Sequence, residues 1–240
     1  EYEEITAQEF NEMIAKGHVP TSSQPAIGEF VDLFEKYKDD EILVITMADG
    51  LSGTYQSCLS AKEMVNRDDI VVINSTTLSL PHRLVVMDAI AMRDEGASLS
   101  EIVDMVETKI KTAISFLLPQ DFEYLKRGGR LTPLAAKLSG LLKIQPVLTQ
   151  SEDGTRLERF TVGRNFNIGV NKVLNYFKEL NLDASYRFCI SHAFVQEQAE
   201  AVATKIKTMF NVEHVEIDDL SCAFITQGGP LCLAIQVISK

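Results

Sequence analysis

The sequence predicts an α/β protein of two domains. An N-terminal parallel-sheet α/β/α domain is expected over residues 1–110, and a C-terminal α+β domain, its sheet covered on one side, over residues 111–240. Three observations carry this expectation. In the first half, short strands that are apolar throughout alternate with helical patterns, as in a parallel sheet covered on both faces. In the second half, two strand-like runs flank Asp153-Gly154, a hairpin signal. A length of 240 residues is also large for a single compact core.

Residues 7–16 read as a helix with Phe10, Met13 and Ile14 on one face, followed by a loop at 17–23. Pro25 suits the first helical position of a second helix, in which Ile27, Phe30, Val31 and Phe34 repeat with the helical period. Strand 42–46 leads through Ser52-Gly53-Thr54 into a helix reaching about residue 66. Strand 70–73 ends at Asn74-Ser75-Thr76-Thr77, and a helix carrying Leu84, Val85 and Ile90 stops near Gly96. Ser98-Leu99-Ser100-Glu101 is a capping box opening a helix that buries Ile102, Val103, Val106 and Ile110.

In the second half, strand 114–118 is ended by Pro119 and followed by a short amphipathic turn at 122–125. A small-residue helix is expected at 134–142, and strands at 144–149 and 157–162 flank the Asp-Gly turn. Helix 166–180, strand 186–190, helix 195–210 and strands 215–217 and 231–238 complete the chain. The stripe Val195, Ala199, Val202, Ile206 and Phe210 covers one face of the sheet. No long linker separates the halves, so a sizeable interface between them is expected, and such interfaces favour ligands.

Composition narrows the function classes. The net charge is −11, and residues 1–120 hold 21 acidic against 9 basic side chains. That balance argues against a nucleic-acid binder, which presents a basic face. One stretch runs the other way: residues 124–150 contain Lys126, Arg127, Arg130, Lys137 and Lys143 and no acid. It reads as a solvated basic face or as a surface for an acidic partner. No apolar run approaches the ~20 residues of a membrane span, so stable membrane insertion is not expected. Cys58, Cys189, Cys222 and Cys232 show no C-x-x-C or metal-ligand spacing, which points to a reducing cytoplasm. The four histidines form no H-x-x-H or H-E-x-x-H pattern, so no metal is expected. The opening Glu1-Tyr2-Glu3-Glu4-Ile5 carries no initiator methionine and reads as mid-chain, so a preceding segment is expected.

The chemistry concentrates at the end of the first strand. A strand, a glycine-bearing turn and a helix opening with hydroxyl residues make an anion cradle, because the first helical N–H groups lack partners and the dipole favours negative charge. Ser52 and Thr54 supply hydroxyls and Gly53 allows close approach of a ligand. Read alone, the same string serves equally as a helix cap behind an Asp49-Gly50 turn. In doubly wound sheets ligands bind beyond the carboxyl ends of the strands, where both Ser52/Thr54 and Ser75/Thr76/Thr77 fall.

Four separated segments then share one pattern. They are Pro20-Thr21-Ser22-Ser23-Gln24-Pro25, Gly50-Leu51-Ser52-Gly53-Thr54-Tyr55, Lys126-Arg127-Gly128-Gly129-Arg130-Leu131, and Gly228-Gly229-Pro230 before the last strand. In this order, over nearly the whole chain, the sequence resembles the DegV family, lipid-binding proteins that include the fatty-acid-binding subunits of bacterial fatty acid kinase. The resemblance implies two domains with an acyl chain in a tunnel between them, and no cofactor other than the bound fatty acid as ligand. It implies no catalytic residue in this chain, which would act as a carrier. A separate fatty acid kinase catalytic subunit would phosphorylate the bound carboxylate to an acyl phosphate. The family's Thr-Ser-Gln-Pro falls on Ser22, Ser23, Gln24 and Pro25, its Ser-Gly-Thr on Ser52, Gly53 and Thr54, and its second signature arginine on Arg130. Family members also begin earlier, with a strand ending in Asp-Ser.

Two departures stand out. The family's closing His-Thr-Gly-Pro-Gly reads Gln227-Gly228-Gly229-Pro230-Leu231 here, so a neutral amide replaces an ionisable ring. A second Asp-Ser reads Asn74-Ser75. Ser22, Ser23, Ser52, Gly53, Thr54, Arg130 and Gln227 are therefore the expected carboxylate-binding residues, and Leu51, Phe116, Leu138, Leu141 and Ile144 are core or tunnel lining. The alternative is an enzyme acting on a small phosphorylated metabolite held at the Ser-Gly-Thr helix N-terminus, for which Asp49 is the sole nearby acid.

Overall fold

A computed structural model describes residues 4–137 and 144–240. In chain order the elements are α1 (Ala7–Ala15), α2 (Ile27–Lys36), β1 (Ile42–Thr46), α3 (Thr54–Val65), β2 (Ile70–Asn74), α4 (Ser79–Asp94), α5 (Leu99–Ile110) and β3 (Ile114–Leu118). They continue with α6 (Phe122–Gly128), α7 (Pro133–Ala136), β4 (Gln145–Gln150), β5 (Leu157–Gly163), α8 (Phe166–Glu179), β6 (Tyr186–His192), α9 (Gln196–Phe210), β7 (Glu216–Asp219), α10 (Cys222–Gly228) and β8 (Leu233–Ser239).

The chain divides into two compact units that differ from two contiguous halves. One comprises residues 23–113 and 152–155; the other comprises 1–22, 114–151 and 156–240. Residues 1–22 join the second half because Ile14 of α1 packs with Ala193, Leu220, Ile225 and Cys232. An apolar helix face finds its partners by contact, not by sequence proximity.

In the smaller unit β1 and β2 pair in parallel, Ile42 opposite Ile70 through Thr46 opposite Asn74. Phe34, Ala61 and Ile70 form a core with Phe30, Val31 and Val65, so α2 and α3 cover this sheet through their periodic apolar faces. Arg67 fastens the end of α2: its guanidinium donates to the carbonyls of Phe34, Tyr37 and Asp40 and to Asp69. The capping box at α5 is present, Ser98 N donating to Glu101 Oε2 at 2.8 Å. Pro25 does not open α2: the helix starts at Ile27, with Ala26 as an extended N-cap lacking a side-chain hydrogen bond.

The larger unit holds a six-stranded sheet in the order β5-β4-β3-β8-β6-β7, antiparallel except for β6 and β7. Helices α8 and α9 lie on one face, over Phe116, Leu118, Phe188, Ile190, Leu233, Ile235 and Val237. Alternate residues point the other way, where Gln236 bridges Ser115 and Ser191 as a buried polar row. The expected turn at 122–125 is a full helix, α6, capped by Asp121 and closed by left-handed Gly129. Helix α7 covers three of the residues expected to be helical, 134–136; Leu138, Leu141 and Lys143 lie outside the described residues. Helix α10 was not anticipated. Its seven residues, Cys-Ala-Phe-Ile-Thr-Gln-Gly, carry no charge to mark a solvent face.

Candidate functional site

In the smaller unit the turn after β1 is tied to the end of β2. Asn74 Oδ1 accepts from Asp49 N at 3.1 Å and from Thr76 N at 3.0 Å, so one amide fixes both strand ends. Asp49 is occupied structurally: its carboxylate accepts from Gly50 N and, at 2.8 Å, from Gln56 Nε2. Ser52 Oγ and Thr54 Oγ1 share a hydrogen bond of 2.8 Å, and Thr54 N leans on Ser52 Oγ at 3.4 Å. Gly53 is the N-cap of α3 with ordinary φ −73° and makes no side-chain cap. What crowds Gly53 is Gln24: a Cβ there would overlap its carboxamide, whose Nε2 donates to buried Ser57 at 2.7 Å. Ser23 is exposed beside this group. Ser75 and Thr77, by contrast, are buried; Ser75 bonds within its own turn, while Thr77 Oγ1 meets no hydrogen-bond partner among the described residues. Thr76 holds left-handed φ of 51°, an uncommon conformation for a β-branched residue.

The larger unit gathers the remaining expected residues around α6 and α10. Gln227 Nε2 donates to Ser22 Oγ at 2.8 Å, joining residues 205 positions apart. The Gln227 carboxamide lies over Gly128, where a Cβ would overlap Oε1. Arg130 Nη1 donates to Gly128 O, so the guanidinium lies against the turn over which the Gln227 carboxamide sits. The Tyr124 ring packs on Gly229, which a Cβ would meet at 3.1 Å, and Arg127 stacks on that ring at 4.4 Å. Gly229 has φ of 82°, a region that side chains rarely adopt. Ser22, Arg130 and Gln227 are thus gathered in one unit, and Ser23, Ser52, Gly53 and Thr54 in the other.

The family model for DegV proteins matches residues 1–240. The chain belongs to the DegV family. A DegV domain-containing protein of Caldanaerobacter subterraneus subsp. tengcongensis is 29% identical over 95% of this chain and 81% of its own length. The DegV domain-containing protein YteA of Lactococcus lactis is 30% identical over 95% of this chain and 80% of its own. Among solved structures, a fatty-acid-binding DegV family protein from Streptococcus agalactiae matches with a TM-score of 0.90 at 24% identity, over 100% of this chain and 86% of that one. DegV of Bacillus subtilis, a fatty acid binding protein, matches with a TM-score of 0.80 at 26% identity, over 96% and 83%.

Against this DegV background two residues gain weight that the sequence did not give them. Gln24 stood only within a motif, yet its side chain fills the space above Gly53 and pins Ser57. The signal was available in the adjacency of Gln24 to Ser22 and Ser23. His82 was set aside as a metal ligand, and it caps a strand instead: Nε2 donates to Ile45 O at 3.0 Å. Burial lowers its pKa, with the Ile45 carbonyl opposing. All four cysteines are buried, and burial pushes Cys58 up to about 11 and Cys189 and Cys232 to about 12. Among the described residues no cluster of three or more His, Cys, Asp or Glu side chains could hold a metal, and no helix is long and apolar enough to cross a membrane.

Proposed function

We propose that this protein binds a long-chain fatty acid and presents it, still bound, to a separate fatty acid kinase catalytic subunit for phosphorylation to an acyl phosphate. Its carboxylate is held in a site built from Ser22, Ser23, Ser52, Gly53, Thr54, Arg130 and Gln227, and the protein acts as a carrier in the cytoplasm. The observation that carries this reading is membership of a family whose Bacillus subtilis relative, 26% identical, is a fatty acid binding protein. The chemistry supports it. An ionised carboxylate only accepts hydrogen bonds, and what the two clusters offer is hydroxyls, amide N–H groups and one guanidinium. Burying an alkyl chain at about 0.8 kcal/mol per CH₂ supplies most of the affinity, so these donors orient the headgroup more than they drive binding.

Native mass spectrometry with lipid extraction tests the binding: one fatty acid per chain is expected to co-purify. Repeated recovery of lipid-free protein that also fails to take up added fatty acid would overturn the carrier reading. The kinase step is tested by adding ATP and a fatty acid kinase catalytic subunit to the loaded protein and trapping acyl phosphate with hydroxylamine. Fatty acid that stays unphosphorylated under those conditions removes the kinase partnership and leaves the binding intact.

A further inference from the structure

Gln227 sits half-buried in the last turn of α10. Nε2 donates to Ser22 Oγ. Oε1 is shut away over Gly128, and no hydrogen bond from the described residues reaches it. A buried acceptor without a partner is unfavourable, so this orientation is held by its surroundings. The absence of a side chain at Gly128 makes room for Oε1, and the Arg130 guanidinium fixes the carbonyl of the same residue. The amide is therefore arranged around its one bond, to Ser22.

We infer that Gln227 is a positioning residue for the headgroup site, acting on the ligand through Ser22; this rests on the fatty-acid reading above. A serine hydroxyl carries one proton and two lone pairs. Accepting the Gln227 N–H takes one lone pair and turns the Oγ proton away from the amide. Ser22 is exposed, and among the described residues its hydroxyl acts only as an acceptor. It consequently offers a proton to whatever docks beside it, and the aligned donor behind it polarises that proton further. An ionised carboxylate takes such a donor in a charge-assisted bond, whereas an alcohol headgroup gains only a neutral one. A neutral imidazole at position 227 could present either a donor or an acceptor to Ser22, depending on its tautomer. With Nε2 on Ser22 and Oε1 turned away over Gly128, Gln227 presents only N–H to that hydroxyl, and this orientation directs the Ser22 proton outward and with it a preference for acid over alcohol.

The experiment compares palmitic acid with 1-hexadecanol, which share a chain length, by equilibrium binding to the delipidated full chain. Ser22→Ala and Gln227→Leu are each expected to weaken palmitate about tenfold, the scale of one charge-assisted hydrogen bond. Hexadecanol binding should stay within about twofold, a split that general damage to the fold would not produce. The double variant should be no weaker than either single one, because the two residues act as a unit. Ser22→Thr, which keeps a hydroxyl, should retain the preference. Since Ser22 is exposed, its variants read the effect even if Gln227→Leu misfolds. Tight palmitate binding by the wild type, with an acid-to-alcohol ratio unmoved by Ser22→Ala or with additive losses in the double variant, overturns the positioning role alone. Failure of the wild type to bind either ligand overturns the fatty-acid reading, and the positioning role with it.

Discussion

Replacing Gly53 with alanine asks what the glycine of the Ser-Gly-Thr turn is for. Its backbone, at φ −73° and ψ 6°, is open to any L-residue, so no conformational penalty attaches to the change. The constraint is space, because the new Cβ would fall on the Gln24 carboxamide. Gln24 is exposed and long, and it would swing aside at little steric cost. What is lost is its hydrogen bond to Ser57, a hydroxyl only 3% exposed. Stranding a buried hydroxyl costs roughly 1–3 kcal/mol. Alanine returns about 0.4–1 kcal/mol by restricting the unfolded chain. The net expectation is a loss of about 1.5 kcal/mol, or roughly 3–6 °C in Tm for a protein of this size. Urea denaturation and thermal melting measure it, and Ser57→Ala provides the control. With the hydroxyl gone, Gly53→Ala should become neutral or mildly stabilising, a coupling of about 1–2 kcal/mol between residues in one network. Equal costs in both backgrounds, or stabilisation by Gly53→Ala alone, would refute the account of Gly53 as a seat for Gln24.

Two further outcomes follow from buried groups. Burial lowers the pKa of His82 below its ordinary 6.5, so the unfolded chain takes up that proton first. The stability contributed by neutral His82 is complete above pH 6.5 and is lost as pH falls toward the lowered value. The urea midpoint should therefore decline on acidification in wild type and decline less in His82→Gln, which keeps a donor for Ile45; identical slopes would refute it. With thiols at about 11 and 12, Cys58, Cys189 and Cys232 carry almost no thiolate at pH 8 and should resist a disulfide reagent in the native protein, then react promptly in urea. Prompt native labelling of any of the three, mapped by peptide mass, would contradict their burial.

What was legible in the sequence was local, and what was not depended on contacts across the chain. The β1 and β2 strands, the Ser98–Glu101 box and the hydroxyl turn each declare themselves within a few residues, because periodicity and capping are short-range physics. The grouping of residues 1–22 with the second half rests on Ile14 meeting Ala193 and Ile225, which no neighbouring residue announces. The short α10 escaped because a helix of seven uncharged residues has no polar face to set its period. The candidate site divides along the same line. Residue types told that hydroxyls, amides and a guanidinium suit a carboxylate, but not which of them face a ligand and which face one another. The structure shows them coupled in pairs: Ser52 with Thr54, Gln24 with Ser57, and Gln227 with Ser22. Pairing changes what each group can do. An isolated hydroxyl rotates to suit any ligand, whereas one that already accepts a bond has its proton directed. Gln227 thus looked in the sequence like a weaker substitute for a ligand-facing histidine, and its bond to Ser22 makes it the residue that decides which way its neighbour points.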